Sequence, residues 1–201
     1  MFGNEKEVAR LDQLCAHFGD GDWIESKDQS SEGIRLIQTG NVGNGEFKDK
    51  GDKARYISEE TFHRLACTEV VPGDVLISRL PDPIGRACIV PDMPKSITAV
   101  DCTIVRLKDD IMPSYFVHFT KTPMYIAQID AFTTGSTRKR VSRANLGSIM
   151  VPVPDIELQK QFVAFANQSD KSKFELQQAI ENINQLIRSL IEGNYEAKEE
   201  A

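Results

Sequence analysis

The spacing of apolar residues divides the chain into an irregular first part and a strongly periodic last part. Up to about residue 154, short runs of apolar and β-branched residues alternate with turn-forming Gly, Pro, Asn and Asp. After Asp155, apolar residues recur at intervals of three and four among Gln, Lys, Glu and Asn, and no glycine occurs before Gly193. This pattern predicts one globular domain over residues 1–154, a helical arm over residues 155–193 and a charged tail over residues 194–201.

The first part predicts an α+β fold with a mixed, largely antiparallel sheet. Runs of β-branched residues bounded by Pro, Gly and Asp predict strands, which cover residues 34–39, 75–78, 87–90, 99–107 and 149–153. Apolar residues at helical spacing predict helices over residues 5–18 and over residues 113–131, where Pro123 divides the segment into two helices. A further helix that reaches about Leu65 is predicted from an N-cap at Ser58, with Glu59 and Glu60 in its first turn. The glycines and asparagines of residues 40–45 suit left-handed turns and predict an exposed loop.

The helical arm carries an apolar seam of the kind that pairs with another helix. Residues spaced four, three, four and three apart occupy the a and d positions of a coiled coil, namely Leu176, Ile180, Ile183, Ile187 and Leu190. A similar seam begins upstream with Leu158, Phe162 and Phe165, and the register slips between the two seams at Ser169 and Ser172, which permits a bend. A helix of roughly 37 residues is about 55 Å long, more than a domain of this size covers. A partner helix is therefore favoured over packing on the chain's own domain.

Composition indicates a soluble, cytoplasmic protein with one good core. The chain has 201 residues, of which 40% are apolar and 27% charged, enough for one domain and an appendage. No apolar run approaches the roughly 20 residues that cross a bilayer, so no membrane association is expected. The four cysteines (Cys15, Cys67, Cys88 and Cys102) show no Cys-x-x-Cys spacing and are interpreted as reduced core residues. We assign the chain no metal and no cofactor.

The net charge of −6 at first argues against nucleic-acid binding, because such proteins usually carry a basic footprint. The charge is unevenly distributed, however. Residues 1–154 hold 19 Lys and Arg against 21 Asp and Glu, whereas residues 155–201 hold 5 against 9. Within the first part, residues 130–145 carry a net +3 from four basic residues and one aspartate. A local basic patch of this kind suffices for contact with DNA if the acidic faces point away from the phosphates.

Three segments, in order and ahead of a long helix, resemble the specificity subunit of type I restriction-modification systems. The first reads IRLIQTGNV followed by GEF, over residues 34–47; the second reads GDVLIS followed by GRA, over residues 73–87. The third reads GSTRKRVS and runs into a PVP motif, over residues 135–154. The resemblance covers residues 34–190. Subunits of this family usually carry two recognition domains separated by two helices that pack antiparallel, whereas this chain has one of each.

The resemblance implies a non-catalytic subunit that recognises double-stranded DNA and docks DNA methylation subunits. Those subunits bring S-adenosylmethionine and methylate an adenine, and the complex leaves room for a restriction subunit to join. The length of the chain leaves two alternatives, a naturally short half-subunit or one half of a longer gene product. Our hypothesis is that two copies pair through residues 158–190 as a homodimer, which restores two recognition domains and reads a symmetric bipartite site.

The predicted DNA contacts lie in three segments, for each of which an ordinary solvated loop is the alternative. The basic segment (residues 135–143) offers charges and hydroxyls to phosphates or guanine edges through Ser136, Thr137, Arg138, Lys139, Arg140 and Arg143. The glycine segment (residues 34–48) offers cations and amides of the kind that identify adenine, through Arg35, Gln38, Thr39, Asn41 and Lys48. In the proline turn (residues 79–86), Arg79 and Arg86 bracket the Pro81-Asp82-Pro83 sequence and form a third contact strip.

An enzyme and an adaptor are the rival interpretations. The glycines of residues 40–45 lack the spacing of a dinucleotide-binding loop, and Pro81-Asp82-Pro83-Ile84 is not the Asn/Asp-Pro-Pro-aromatic motif of a DNA methyltransferase. We therefore assign no catalytic residue. A coiled-coil adaptor whose domain binds another protein remains open. The absence of any effect on DNA, with or without a partner subunit, would support it.

Overall fold

The structure, a computed structural model, describes residues 7–135 and 139–199, with side chains through Ser189. The chain forms two compact units, residues 1–160 and residues 161–201. The strands are, in chain order, β1 (Val8–Arg10), β2 (Cys15–Asp20), β3 (Gln29–Ser30), β4 (Ile34–Ile37), β5 (Arg55–Ile57), β6 (Val75–Ser78), β7 (Ala87–Ile89), β8 (Ser96–Thr98), β9 (Cys102–Leu107), β10 (Thr133–Thr134), β11 (Arg140–Val141) and β12 (Met150–Pro152). The α-helices are α1 (Glu59–Arg64), α2 (Pro113–Phe119), α3 (Pro123–Phe132), α4 (Arg143–Gly147) and α5 (Ile156–Glu199).

The first unit contains two four-stranded sheets. In the central sheet the strands lie in the order β2-β9-β6-β7, and all neighbours are antiparallel. In the second sheet the order is β3-β5-β4-β8, and the β4–β8 pair is parallel. Two-stranded ladders join β1 to β12 and β10 to β11. The predicted α+β fold, with mixed but largely antiparallel pairing and a long C-terminal helix, is confirmed.

The central sheet is buried on both faces. Val75 and Ile77 of β6 belong to one apolar cluster, which includes Phe116 of α2. Leu76, between them, belongs to a second cluster with Ile104 of β9. Successive side chains of a strand point to opposite faces, so an uninterrupted apolar run is typical of a strand covered on both sides. Each fully buried aliphatic side chain stabilises such a core by about 1.5–3 kcal/mol.

Local signals in the sequence account for the two predicted helix boundaries. The Ser58 hydroxyl accepts a hydrogen bond from the backbone N–H of Thr61 and caps α1, as predicted. Pro123 occupies the first turn of α3, with Thr122 as the N-cap, so α2 and α3 are two helices rather than one. Proline suits the first turn because its missing N–H has no partner there in any helix.

Residues 5–18 do not form the predicted amphipathic helix. The described part of this range contains β1, a 3-10 turn over Leu11–Leu14, and the beginning of β2. Leu11 and Leu14 are buried in the core, but β2 pairs with β9 and β1 pairs with β12. Backbone pairing with distant strands outweighs the local helical period here, because helix propensity is a weak preference that tertiary contacts override.

Two further predictions about the sheet region need correction. The loop at residues 40–45 is not fully exposed, because Asn41, Val42 and Gly43 are buried. The strand predicted over residues 99–107 begins only at Cys102, and β8 just before it was missed. Strand β8 has three residues and pairs in parallel with β4, about 60 residues earlier in the chain. No local pattern specifies a pairing over that distance.

The predicted arm belongs to α5, a continuous helix of 44 residues that extends to Glu199 and has no break at Ser169 or Ser172. Its first turn is anchored by Gln159, which is fully buried. The Gln159 side chain accepts a hydrogen bond from the backbone N–H of Met112 at 2.9 Å and donates to the carbonyl oxygens of Asp110 and Pro154. Among the described residues, no helix has the length and hydropathy needed to span a membrane.

Candidate nucleic-acid interface

Arg86 joins the glycine segment to the proline turn. Its buried guanidinium donates hydrogen bonds to the backbone carbonyls of Val42 (2.6 Å), Thr39 (2.8 Å), Leu80 (2.8 Å) and Pro83 (3.0 Å). The first two carbonyls belong to the glycine segment and the other two to the proline turn. A guanidinium presents its donors in a fixed fork, so Arg86 sets the spacing of the two segments. Its donors are used inside the protein, and we leave it out of the contact surface.

Asn41 also acts within the protein. Its side chain is 2% exposed, its Oδ1 accepts a hydrogen bond from the backbone N–H of Gln38, and its Nδ2 donates to the carbonyl of Lys48. Both polar atoms of the Asn41 amide therefore bond within the glycine segment, so neither is available to recognise adenine. Gln38 and Thr39 are partly exposed, and the ammonium of the exposed Lys48 lies 3.6 Å from the carboxylate of Glu46.

Arg35 stabilises the same segment from the side of the sheet. It is buried in β4, its Nη2 donates to Asp49 at 2.7 Å, and its guanidinium lies 5.6 Å from the centre of the Tyr56 ring. The pKa of Asp49 is lowered from its usual value, mainly by the backbone N–H of Gly51 and also by the Arg35 cation. Arg35 therefore organises the loop and presents little surface to a ligand.

Asp20 lies between two of the predicted contact residues, Arg79 and Arg143. Its carboxylate is 3.5 Å from Nε of Arg79 and 3.9 Å from Nη1 of Arg143, and it accepts a hydrogen bond from the Thr103 hydroxyl. Arg79 is buried and donates from Nη2 to the carbonyl of Val100 at 2.7 Å. The side chain of Arg143 is 54% exposed, so it is the member of this group that reaches solvent.

The basic segment is attached to the proline turn through the backbone. The N–H of Val141 in β11 donates to the carbonyl of Arg79 at 3.3 Å, while β11 pairs with β10. Lys139 and Arg140 are exposed, and no carboxylate among the described residues lies within 4.0 Å of either. Three other predicted contacts in this segment fall outside the described residues, namely Ser136, Thr137 and Arg138.

A cleft opens where the three segments meet. It has a volume of about 550 Å³ and lies between the proline turn, α3 and the beginning of the basic segment. Its apolar wall includes Ile126 and Ile129 of α3, and its polar lining includes Asn44, Lys121 and Lys139. Pockets of this size take part of a ligand of nucleotide scale. The structure thus brings together segments that are about 90 residues apart along the chain.

Lys121 and Asn44 line the cleft but are not among the contacts predicted from the sequence. Lys121 follows α2 in a short connection that carries no motif, and its ammonium lies over Gly45. A Cβ at position 45 would stand 2.5 Å from the Lys121 Nζ, a contact that the flexible lysine side chain can relieve, so it is the φ of +97° that favours glycine there. Lys121 is also exposed, with no carboxylate of the described chain within 4.0 Å. Only the tertiary placement of Lys121 beside Gly45 reveals it.

Residues 4–185 match the sequence profile of the type I restriction modification DNA specificity domain. The chain belongs to this family. Among curated proteins, no sequence matches this chain. Within its described residues, no group of three or more His, Cys, Asp and Glu side chains is placed to hold a metal ion.

Solved structures share the fold of this specificity domain at low sequence identity. A chain from a study titled "Structural basis underlying complex assembly and conformational transition of the type I R-M system" matches with a TM-score of 0.65, 18% identity and coverage of 86% of this chain. The HsdS subunit from Thermoanaerobacter tengcongensis matches with a TM-score of 0.62 at 18% identity over 86% of this chain, and the S subunit from M. genitalium with 0.56 at 12% over 84%. This specificity domain spans about 40% of each of those chains, namely 40%, 39% and 40%. The resemblance to the specificity subunit predicted from three sequence segments is confirmed.

Proposed function

We propose that this chain recognises a specific sequence in double-stranded DNA as part of a type I restriction-modification complex and catalyses no reaction itself. The observation that carries the proposal is the convergence of the glycine, proline and basic segments around one cleft, at whose edge lie cations with no carboxylate partner among the described residues. Membership of the specificity family supports DNA as the ligand. The overall negative charge is compatible with this proposal, because phosphates respond to the local field of the surface that they approach.

The proposed contact surface is narrower than the sequence alone suggests. Lys139 and Arg140 are its centre, since they are exposed and free of carboxylates in the described chain. Arg143, Gln38, Thr39 and Lys48 form its border. Ser136, Thr137 and Arg138 complete it as proposals from sequence. Arg35, Asn41, Arg79 and Arg86 form the scaffold beneath it, because they are buried and each donates at least one side-chain hydrogen bond within the protein.

Companion subunits complete the proposed activity. In this proposal the chain positions a DNA methylation subunit, which binds S-adenosylmethionine, on the recognised sequence, and a restriction subunit can join the same assembly. The chain needs no cofactor of its own for this role, because it contributes binding energy and register rather than chemistry.

The arm provides a surface for pairing with a second copy. At about 100° per residue, Leu158, Phe162, Phe165, Leu176, Ile180, Ile183 and Ile187 lie within roughly 40° of one line along the helix. Phe165 is 72% exposed, Leu176 64% and Ile183 55%. The side chain of Leu190, the last member of the predicted seam, lies outside the described residues. We propose that two copies bury these seams against each other, because exposed apolar rows of this kind are stable in water only when paired.

DNA binding tests the first part of the proposal. Gel-shift titrations over a range of salt concentrations, with and without the methylation subunit, compare the wild-type chain with Arg140→Ala and Lys139→Ala. Each lost phosphate contact lowers the slope of log K against log salt by about 1. Lys53→Gln, in an exposed 3-10 turn that lines a separate depression, is the matched control. Wild-type protein that shifts no DNA under either condition would instead support a coiled-coil adaptor.

Oligomeric state tests the second part. Light scattering at micromolar concentration is expected to give a dimer mass for the wild type and a monomer mass for an Ile180→Glu, Ile187→Glu double variant. The control is Gln178→Glu, because Gln178 lies on the opposite side of the helix from the seam. A monomeric wild type would overturn the homodimer but leave the DNA proposal standing.

A further inference from the structure

Asp82 is a carboxylate in an unusual place, on the surface that we propose meets DNA. It lines the cleft together with Lys121 and Lys139, and it is exposed at the tip of the proline turn. Within the described chain, no basic side chain lies within 4.0 Å of the Asp82 carboxylate, although the Arg86 cation attracts it over a longer distance. Phosphates repel carboxylates, so an unpaired aspartate on a DNA-facing surface lowers affinity unless it meets a hydrogen-bond donor of the DNA.

The turn that carries Asp82 is held firmly from below. Pro81 and Pro83 flank Asp82, and the ring of each proline fixes its own φ angle. The carbonyls of Leu80 and Pro83 both accept hydrogen bonds from Arg86. On the other side, Gly85 packs so closely on α3 that a Cβ there would stand 2.8 Å from the Cδ1 of Ile129. Asp82 is therefore presented on a preorganised turn rather than on a loose loop.

Lys121 and Lys139, the two lysines that line the cleft, suit a DNA phosphate. Lys121 and Lys139 are exposed and both line the cleft, with no carboxylate of the described residues within 4.0 Å of either ammonium. A nucleotide of the duplex presents a base edge in the groove and a phosphate at the border of that groove, so one protein surface can meet both. The lining of the cleft offers the complementary groups, a carboxylate and two ammonium groups.

The residues that line the cleft suit the edge of a base within the DNA duplex better than a base extruded from the duplex. An extruded base sits in a snug pocket, where it stacks between aromatic or apolar side chains. The aromatic residue at the cleft is Tyr125, but its ring is 1% exposed and its hydroxyl donates to the carbonyl of Gly85 at 2.8 Å. In the major groove, the groups that a carboxylate can accept from are the exocyclic amines of cytosine and adenine.

We propose that Asp82 is a specificity-determining residue, which accepts a hydrogen bond from the exocyclic amine of one cytosine or adenine while Lys121 and Lys139 hold a neighbouring phosphate. This inference rests on the proposed DNA-recognition function and adds a direct reader of one base. Asp130, the other carboxylate of the cleft, lies in the last turn of α3 and provides an internal comparison.

Selection from a pool of randomised duplexes tests the assignment, with the chain assembled with its methylation subunit. The variants are Asp82→Ala, Asp130→Ala and Lys121→Gln, and the control is Asp52→Asn in the separate 3-10 turn. We expect Asp82→Ala to lose about tenfold or more of the discrimination at one position that the wild type reads as C or A, and to bind unrelated DNA more tightly. Lys121→Gln is expected to weaken binding to all sequences and to lower the salt slope by about 1.

The possible outcomes separate the two levels of the proposal. If Asp82→Ala raises affinity for every duplex without altering the preferred sequence, Asp82 is a bystander near the backbone and the inference is overturned. The same conclusion follows if only Asp130→Ala relaxes a position. If the wild type itself enriches no sequence, the proposed function fails, and the inference fails with it. An unchanged urea midpoint for the Asp82→Ala variant confirms that a change in preference does not come from unfolding.

Discussion

The Nε of Arg86 donates a 2.6 Å hydrogen bond to the carbonyl oxygen of Val42, across 44 positions of the chain. This bond, with the three others that Arg86 makes, connects the glycine segment to the proline turn. In the sequence, Arg86 looks like a surface arginine beside a hairpin. In the fold it supports the candidate interface from inside the protein. Burial lowers the pKa of Arg86, yet the guanidinium remains charged at any pH near neutrality.

Replacement of Arg86 is expected to destabilise the fold. Arg86→Ala leaves four backbone carbonyls without their donor, and the expected loss in the free energy of unfolding is about 2–4 kcal/mol. Arg86→Lys keeps the charge but not the fork, so it restores only part of that loss. Urea denaturation followed by circular dichroism measures both values. A midpoint for Arg86→Ala equal to that of the wild type would show that the four bonds contribute nothing net.

Stability at acid pH is expected to depend on Asp28. The hydrogen bond from Arg64 lowers the pKa of the Asp28 carboxyl from its ordinary value near 3.8. A folded-state pKa below the unfolded one stabilises the protein above the unfolded pKa, and this stabilisation is lost as the pH falls through the folded pKa.

Comparison with Asp28→Asn isolates that contribution. The difference in unfolding free energy between the wild type and the variant should be largest near pH 6 and should shrink as the pH falls below about 4. Thermal denaturation at a series of pH values measures it, and Asp52→Asn serves as an exposed control. A difference that stays constant from pH 6 to pH 3 would contradict the prediction.

The four cysteines are expected to react slowly with thiol reagents in the native protein. All four are free, and burial raises the pKa of Cys15 and Cys88 to about 12 and that of Cys67 and Cys102 to about 11. At pH 8 about one thiol in a thousand or fewer is the reactive thiolate. Ellman's reagent should therefore label the native protein slowly and should titrate four thiols in urea. Rapid labelling of Cys88 or Cys102 in the native state would show that the core opens frequently.

The sequence alone was sufficient for the features that depend on neighbouring residues. The cap at Ser58, the division of α2 from α3 at Pro123 and the long helix after Asp155 all follow from local hydrogen bonding and from the period of the apolar residues. The order of three short segments was also enough to indicate the family, which the match over residues 4–185 confirms.

Only the tertiary structure decided which polar residues are buried and which reach solvent. Residues 5–18 have a helical period, yet the described part of that range forms strands because β9 and β12 supply partners. Arg86 and Arg140 both appear in the sequence as arginines close to turn residues, but the first is enclosed by carbonyls from two distant segments and the second is exposed. The physical reason is that local conformation depends on the next few residues, whereas the desolvation of a charge depends on every segment that packs around it.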